Sequence, residues 1–362
     1  MSEKFYKLER RGFDLGVVSC APKKLTHQAL DSIMLQQAWQ QGEASFLPEM
    51  CAVNAYQQEI DAASGLYLAV LSAEQNCDEL LDQQPYKARL AQNFESLGSS
   101  MNEGDDQEIE TVLFDAIQNG QVLAEDLWMK ASWLSFHEED ASLRFRFSFG
   151  VDLHEDVAAD HKRQYYASLL TAAVFPESSL ITENIFLKQK LAEILGVDKF
   201  SFVERIIYFN SPNGGAYLHH DRERGHAGVV YAQLTGETLW LALPKQQLIH
   251  EITKFVENCQ QQAWPETLDH KARETLLAYA SNQQICSEQL ESFANETLIQ
   301  LINETAEFVQ QLINHGYSNH LQAGDVLLLP QETEMTCCWH SVFCLGETPG
   351  QALSFAIRAE KK

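Results

Sequence analysis

Two histidines and one aspartate stand at positions that could bind a transition metal. His219 and Asp221 are separated by one residue, and His340 lies far downstream. Two imidazoles and one carboxylate form the facial triad that holds non-heme Fe(II) on one face and leaves positions open for cosubstrate and oxygen. The chain has 12 histidines, so a chance His-x-Asp with structural histidines is the competing interpretation.

Strand alternation selects among the candidate ligands. Residues 202–221 are rich in β-branched and aromatic residues around a Pro- and Gly-containing turn, which predicts a strand, a turn and a second strand that reaches Asp221. Side chains alternate between the two faces of a strand. His219 and Asp221 therefore share a face, His220 points to the other face, and His226 falls in a predicted loop. The last two histidines are the weaker candidates.

More short strands are predicted on both sides of His340. They cover 229–234, 238–243, the end of 323–330, 339–343 and 351–358. Short strands joined by tight turns are typical of an antiparallel barrel.

The sequences of these strands resemble those of a known superfamily. GDVLLLP (324–330) followed by Trp339-His340 resembles paired strands of cupin and Jumonji-C-like barrels, and YAQLTGETLWLALP (231–244) resembles the strands that follow their His-x-Asp motif. The chain is similar to the Fe(II)/2-oxoglutarate-dependent oxygenases of the double-stranded β-helix fold, over residues 200–245 and 321–358. This resemblance implies a jelly-roll or cupin-like barrel.

The resemblance also implies a ligand set and a cosubstrate. His219, Asp221 and His340 would bind Fe(II), 2-oxoglutarate would chelate the iron, and O2 would take the last position. No catalytic residue is expected beyond these metal ligands. The organic chemistry belongs to the metal and the cosubstrate, whereas the protein supplies ligation and orientation.

A basic residue is expected to bind the distal carboxylate of 2-oxoglutarate. Arg358 is the leading candidate because a guanidinium binds a carboxylate through two hydrogen bonds; otherwise it begins a solvated charged tail. Jumonji-type enzymes place a lysine where this chain has Thr238, which offers a hydroxyl but no charge. Arg205 is a further candidate. Tyr208 and Asn210 could hydrogen-bond the cosubstrate or the substrate.

The charge balance limits the partners. The chain has 26 basic and 51 acidic residues, a net charge of −25, so nucleic acid is disfavoured. The acidic surface could steer a cationic substrate or only keep the protein in solution. No apolar run approaches the ~20 residues that span a membrane. The lack of a signal-peptide pattern and the eight cysteines without a Cys-x-x-Cys pair favour the cytoplasm.

The expected fold class is α+β, with helical regions around the barrel. The predicted parts are a mainly helical region (1–138), the first part of the barrel with the metal motif (139–245), a helical insertion (246–320) and C-terminal barrel strands (321–362). Apolar spacing predicts a helix over 108–117 and two to four helices in the insertion. The insertion could cover the substrate mouth, act as a lid or form a homodimer contact.

The sequence thus predicts an Fe(II)- and 2-oxoglutarate-dependent hydroxylase. The predicted substrate is an amino acid or a peptide or protein side chain, by fold-level analogy. The alternatives are a cupin-type metalloenzyme that does not use 2-oxoglutarate and a non-catalytic barrel that binds a small molecule or a partner.

Overall fold

The computed structural model describes residues 3–20, 31–72, 76–102, 109–134, 142–150, 159–212, 214–222, 226–292 and 295–359. The strands are β1 (Lys4–Arg10), β2 (Phe13–Cys20), β3 (Ser45–Leu47), β4 (Phe94–Asn102), β5 (Ile109–Gln118), β6 (Gln121–Leu134), β7 (Ser142–Phe149), β8 (Phe200–Asn210), β9 (Gly215–His219), β10 (Gly228–Gln233), β11 (Glu237–Pro244), β12 (Ser318–Leu321), β13 (Val326–Pro330), β14 (Cys338–Leu345) and β15 (Gly350–Ala359). The helices are α1 (Ser32–Gln41), α2 (Gln57–Leu71), α3 (Cys77–Leu81), α4 (Tyr86–Leu90), α5 (His161–Val174), α6 (Ser179–Thr182), α7 (Ile185–Leu195), α8 (Lys245–Gln261), α9 (His270–Ser281), α10 (Gln283–Glu291), α11 (Glu296–Glu304) and α12 (Ala306–Asn314).

Two antiparallel sheets form the centre of the molecule. The large sheet has nine strands in the order β3-β13-β10-β15-β8-β7-β6-β5-β4, and the small sheet has four in the order β12-β11-β14-β9. Strands β1 and β2 form a separate hairpin. The two halves of the predicted metal site come together here, because β9 pairs with β14 in the small sheet.

The two sheets face each other across a shared apolar core. Tyr231 and Leu329 of the large sheet belong to one buried cluster with Trp240 and Val342 of the small sheet. Alternation explains this arrangement, since Trp240 faces the large sheet while its neighbour Leu241 faces outward. The fold is therefore α+β with two facing antiparallel sheets.

Helices cover the outer face of each sheet. Phe145 and Phe355 of the large sheet belong to one buried cluster with residues of α5 and α7. Helices α8 to α12 cover the small sheet, where Leu241 joins a cluster with Ile252 and Leu301. The hairpin β1–β2 packs into the same outer layer through Leu8. None of the described helices is long and apolar enough to cross a membrane.

The region predicted as mainly helical contains a large share of strand. The helix predicted over 108–117 is wrong, because residues 109–117 belong to β5 and residue 108 lies outside the described residues. Val112, Phe114 and Ala116 are buried and their neighbours are not, which is the period of a strand. Together with its hairpin partners, β5 extends the large sheet beyond the part that faces the metal site. The predicted boundary between 138 and 139 lies outside the described residues.

The predicted insertion is helical, but its described residues form five helices rather than two to four. Helix α8 begins at Lys245, directly after β11. The helical part ends at Asn314, and β12 returns the chain to the small sheet from Ser318 onward. The insertion is thus closed at both ends by strands of the sheet that carries His340.

Candidate metal centre and its cavity

Three side chains meet at the inner face of the small sheet. His219 ends β9 and lies opposite His340 of β14. Asp221 lies beyond the strand, which ends at His219 rather than at Asp221 as predicted. The distance from Asp221 Oδ1 to His219 Nε2 is 3.5 Å, and from Asp221 Oδ2 to His340 Nε2 it is 3.3 Å. One ligand atom from each residue lies within 4.8 Å of the others, so one metal ion can contact all three.

Backbone carbonyl groups hold both histidines in the form that can bind a metal. His219 Nδ1 lies 2.6 Å from the carbonyl oxygen of Tyr217, and His340 Nδ1 lies 3.2 Å from that of Cys338. A carbonyl oxygen only accepts hydrogen bonds, so each Nδ1 carries the proton and donates it. Each Nε2 faces Asp221 and can bind a metal ion once it is unprotonated. Metal-binding histidines commonly have this outer hydrogen bond, and the donor set fits Fe(II).

The pKa values within the cluster are strongly coupled. Burial alone would raise the pKa of Asp221, but the charge of His340 and hydrogen bonds from both histidines hold it well below its usual value. Burial lowers the pKa of His219, yet the hydrogen bond and charge of Asp221 raise it overall. The carboxylate of Asp221 is partly exposed, and a bound metal ion would place a further positive charge beside it.

A chain of side chains supports His340 from behind. The indole of Trp240 stacks on the imidazole with 5.4 Å between ring centroids and an interplanar angle of 29°. Trp240 Nε1 donates to Thr238 Oγ1 at 3.1 Å, and that hydroxyl donates to Gln233 Oε1 at 2.9 Å. The structure thus places Thr238 behind Trp240, which stacks on the candidate ligand His340. Its hydroxyl is already used there, and it does not line the cavity described below.

His220 points away from the cluster, in agreement with strand alternation. Its Nε2 lies 3.2 Å from Glu291 Oε2 at the end of α10, and its ring packs against Trp339 with 5.1 Å between centroids. His226 is not part of the group of possible ligands. Glu291 also contacts Lys245 Nζ at 2.7 Å. His220 therefore belongs to a polar network that links the end of β9 to the helical insertion.

The three candidate ligands lie at the wall of a cavity of about 640 Å³. This volume suits small-molecule ligands. Tyr208 and Asn210 of β8 line this cavity, as predicted for residues that bind cosubstrate or substrate. Arg358 lies near the end of β15 and is not among the lining residues. The structure therefore brings two of the four predicted cosubstrate residues to the site.

Arg205 faces away from the cavity. Its guanidinium donates to Gln164 Oε1 at 3.0 Å and to the carbonyl oxygen of Phe202 at 2.7 Å. Burial lowers the pKa of Arg205 to about 10. These contacts belong to the interface between the large sheet and α5, so Arg205 serves the fold.

The arginine that lines the cavity from the large sheet is Arg144, which the sequence analysis did not select. Arg144 lies on β7 directly opposite Tyr208 of β8, and its Nε donates to Ser132 Oγ at 3.3 Å. Burial raises the pKa of Tyr208, while Arg144 lowers it and Asp221 raises it. Tyr208, Arg144 and Asp221 thus line the same cavity and interact electrostatically.

The insertion and the N-terminal hairpin form the opposite wall of the cavity. The lining residues of α10, α11 and the segment between them are Gln289, Leu290, Asn295, Leu298, Ile299, Ile302 and Asn303. Arg11, in the turn of the hairpin, also lines the cavity, and its guanidinium carbon lies 4.0 Å from the ring centroid of Tyr217. The predicted role of the insertion at the substrate mouth is consistent with this wall.

The fold and the site define a two-sheet protein with a candidate metal centre of two histidines and one carboxylate. No family model matches the chain, and no curated protein matches it. Among solved structures, it is similar to an oxidoreductase of the 2OG-Fe(II) oxygenase family from Burkholderia pseudomallei, with 10% identity over 91% of this chain and 92% of that chain and a TM-score of 0.30.

Two further solved structures are similar to this chain. One is YcfD, a ribosomal oxygenase from Escherichia coli, with 15% identity over 77% of this chain and 44% of that chain and a TM-score of 0.27. The other is a prolyl-4-hydroxylase from Pseudomonas putida, with 9% identity over 91% of this chain and 100% of that chain and a TM-score of 0.29. At such identities and TM-scores no residue role transfers, so the function is inferred from the site itself.

Proposed function

We propose that this protein is an Fe(II)- and 2-oxoglutarate-dependent oxygenase that hydroxylates an unactivated C–H bond, built on a double-stranded β-helix. The observation that carries the proposal is the cluster of His219, Asp221 and His340, which opens into a cavity that also contains Arg144. When bound, iron and 2-oxoglutarate supply the oxidation, in which one atom of O2 enters the substrate and the other enters succinate with loss of CO2.

The residues of the chain bind and orient the reactants. His219, Asp221 and His340 would hold the iron on one face, with both imidazoles fixed by backbone carbonyl groups. Apolar residues of the facing sheets and of the insertion line much of the cavity, and an apolar lining strengthens electrostatic interactions inside it.

Arg144 is the cosubstrate anchor that we propose in preference to Arg358. Its guanidinium can bind the distal carboxylate of 2-oxoglutarate through two hydrogen bonds. Tyr208, opposite Arg144 in the sheet, could donate its phenol to the same carboxylate. Asn210 lies two residues further along β8, on the same cavity face, and could contact cosubstrate or substrate.

Paired substitutions distinguish the two arginines. Arg144→Ala should weaken 2-oxoglutarate binding at least tenfold, Arg144→Lys should recover part of the loss, and Arg358→Ala should have little effect. The dissociation constant can be measured by anaerobic titration of the metal-loaded protein. Loss of binding in Arg358→Ala but not in Arg144→Ala would reverse the assignment.

The proposed activity has a direct spectroscopic test. The protein, prepared without oxygen, is mixed with Fe(II) and 2-oxoglutarate, and the weak visible charge-transfer band of the complex is recorded; succinate is measured after oxygen is added. Asp221→Ala should lose both the band and the bound iron. Absence of the band and of succinate in the parent chain would contradict the proposal.

The same experiment separates the alternative functions. A cupin-type metalloenzyme would bind iron without forming the 2-oxoglutarate band, whereas a non-catalytic barrel would bind its ligand without needing the metal. The amino-acid or peptide substrate, the cytoplasmic location and the homodimer through helical segments stay predictions.

A further inference from the structure

The cavity has a charge balance opposite to that of the whole chain. Among the described residues that line it, Arg11 and Arg144 are basic, and Asp221 is the one acidic side chain. The chain as a whole has a net charge of −25. A cationic group of a substrate would find no carboxylate other than the metal ligand, whereas an anionic group would meet an arginine. The lining therefore disfavours a basic substrate.

The wall formed by the insertion is mainly apolar toward the cavity. Leu290 of α10 and Leu298, Ile299 and Ile302 of α11 line it. Such a surface favours a hydrocarbon group, since it offers contact area but no hydrogen bonds.

The asparagines in this wall already have partners within the protein. Asn295 Oδ1 accepts from the backbone N–H of Leu298 at 3.1 Å, and its Nδ2 donates to Tyr279 at 2.6 Å. Asn303 Oδ1 accepts from the backbone N–H of Leu218 at 2.7 Å, and its Nδ2 donates to a carbonyl group within α11. These amides stabilise the helices and strand β9 and are engaged within the protein, so Gln289 is the remaining polar side chain of this wall.

The hairpin turn holds Arg11 at this wall. Arg11 and Gly12 form its two-residue loop and both have positive φ, 49° and 79°. This geometry is favourable for glycine and uncommon for arginine. The guanidinium of Arg11 packs 4.0 Å over the ring of Tyr217, and the Tyr217 hydroxyl donates to Glu304 at 2.7 Å. The two-residue turn and this ring contact together fix the position of Arg11 in the cavity lining.

The neighbouring residue fixes the turn against the small sheet. Arg10 is buried, its guanidinium donates to the carbonyl oxygen of Val342, and it lies 4.0 Å over the ring of Phe343. The basic tip of the hairpin is therefore attached to β14, the strand that carries His340.

We propose that the substrate to be oxidised is an apolar organic acid, meaning a hydrocarbon group next to a carboxylate. The hydrocarbon group contacts the α10–α11 wall, and the carboxylate binds Arg11. This inference rests on the proposed function, in which Arg144 is occupied by 2-oxoglutarate. A free carboxylic acid and the C-terminal residue of a peptide present the same chemistry, and the experiment below distinguishes them.

The test compares acids with their amides. The full chain, loaded with Fe(II) and saturated with 2-oxoglutarate without oxygen, is titrated with 4-methylpentanoate, hexanoate and N-acetyl-leucine, each beside its amide. Binding is measured by calorimetry and by perturbation of the visible band. At least one acid should bind tenfold or more tightly than its amide. If no acid binds better than its amide, the proposal is overturned.

Variants of Arg11 assign the preference to this residue. Arg11→Gln should abolish the difference between acid and amide, and Arg11→Lys should retain part of it. Lys7→Gln is the matched control, because Lys7 is an exposed cation on the same hairpin outside the cavity lining. An unchanged preference in Arg11→Gln overturns the proposal, and thermal unfolding checks that each variant is folded.

One further comparison identifies the source of the carboxylate, and the visible band separates failure of the proposed function from failure of the substrate inference. A leucine-terminated peptide with a free carboxylate, compared with its C-terminal amide, distinguishes a peptide substrate from a free acid. A missing charge-transfer band in the parent chain would mean that the proposed function fails. A normal band together with no effect of Arg11→Gln would mean that only the substrate inference fails.

Discussion

The ligating form of both histidines is set by the backbone rather than by other side chains. Each Nδ1 donates to the carbonyl oxygen of the residue two positions earlier on its own strand. The strand conformation therefore selects the tautomer, and substitutions of neighbouring side chains leave it unchanged. The orientation of His340 depends on side chains, because Trp240 stacks on it and Thr238 holds the indole.

Replacing Thr238 by valine should lower the stability of the fold and leave its shape unchanged. The side chains have similar volumes, but Trp240 Nε1 would lose its hydrogen-bond acceptor in a buried place. An unsatisfied buried donor costs about 1–3 kcal/mol, so urea unfolding should show a loss of that size. Thr275→Val is the control, because Thr275 is half-buried on α9 and its hydroxyl donates to Lys271 in a solvent-exposed hydrogen bond. Equal stabilities would show that the indole finds another partner.

Single residues also show what the sequence could and could not predict. The period of two in a strand is enough to separate His219 from His220. Arg144 was missed because it lies on a strand that joins the site only through the sheet order β8-β7. Its signal was present in residues 143–149, where basic side chains alternate with phenylalanines. Alternation predicts that these arginines share a face, but not which cavity that face meets.

At the scale of elements, one carboxylate of the helical insertion contacts the residue that follows strand β9. Glu291 at the end of α10 contacts His220 and Lys245, and Arg222 Nη2 lies 3.9 Å away. Lys245 begins α8 and is fully buried. Three separate elements thus meet at Glu291, next to the turn that carries Asp221.

Glu291→Ala should therefore destabilise the protein and weaken metal binding together. Removing one partner of a buried ion pair costs roughly 3 kcal/mol or more, and the remaining contact of Lys245 with Glu334 keeps the loss near the lower value. Chemical unfolding and Mn(II) titration are the measurements. Glu288→Ala, on the exposed side of the same helix, should change neither quantity. Unchanged metal affinity in Glu291→Ala would show that the contacts of Glu291 do not affect the candidate metal site.

A second buried carboxylate joins the helical layer to the large sheet. Glu177 lies in the short 3₁₀ helix Pro176–Ser178 and is completely buried. Its Oε1 accepts from Gln351 Nε2 of β15 at 2.7 Å, while its Oε2 has no hydrogen-bond partner among the described residues. Burial raises the pKa of this carboxyl from 4.5 to about 7.

This pKa gives stability a defined pH dependence. Between pH 4.5 and about 7 the folded chain keeps a proton that the unfolded chain releases, so this contribution makes stability fall as pH rises through that window. Glu177→Gln should raise the free energy of unfolding by about 3 kcal/mol above pH 7 and have little effect below pH 4.5. Unfolding at several pH values measures the difference, with the exposed Glu183→Gln as control. If the difference in unfolding free energy between Glu177→Gln and the parent chain did not change with pH, the prediction would be wrong.

The sequence predicts a strand or helix well where its apolar residues lie on one face. It predicts β5 poorly, because a charged residue on the buried face of that strand is held there by hydrogen bonds. In β5, Glu110 is buried because its carboxylate accepts from the backbone N–H groups of Cys77 and Asp78. A buried glutamate hides the alternation of the apolar residues Val112 and Phe114. The contact between Glu110 and α3 forms only in the folded chain, so the sequence around Glu110 does not predict that this residue is buried.

At the scale of the whole molecule, a strongly acidic body surrounds a cavity with basic side chains. The net charge of −25 repels 2-oxoglutarate and an acidic substrate at long range, whereas Arg11 and Arg144 attract them at short range. The range of screening decides which effect dominates. The Debye length is ~30 Å at 0.01 M salt and ~10 Å at 0.1 M, so at low salt the whole body acts on the approaching anion.

Salt should therefore change the two binding steps in opposite directions. Raising the ionic strength from about 0.01 M to 0.1 M should speed the association of 2-oxoglutarate several-fold, because it screens the distant acidic residues more than the nearby arginines. The association of Fe(II), a cation, should become slower over the same range. Stopped-flow measurement of the visible band gives the first rate, and competition with a chelator gives the second. If the association of 2-oxoglutarate also slowed with salt, the cavity arginines rather than the acidic body would dominate the capture of this anion.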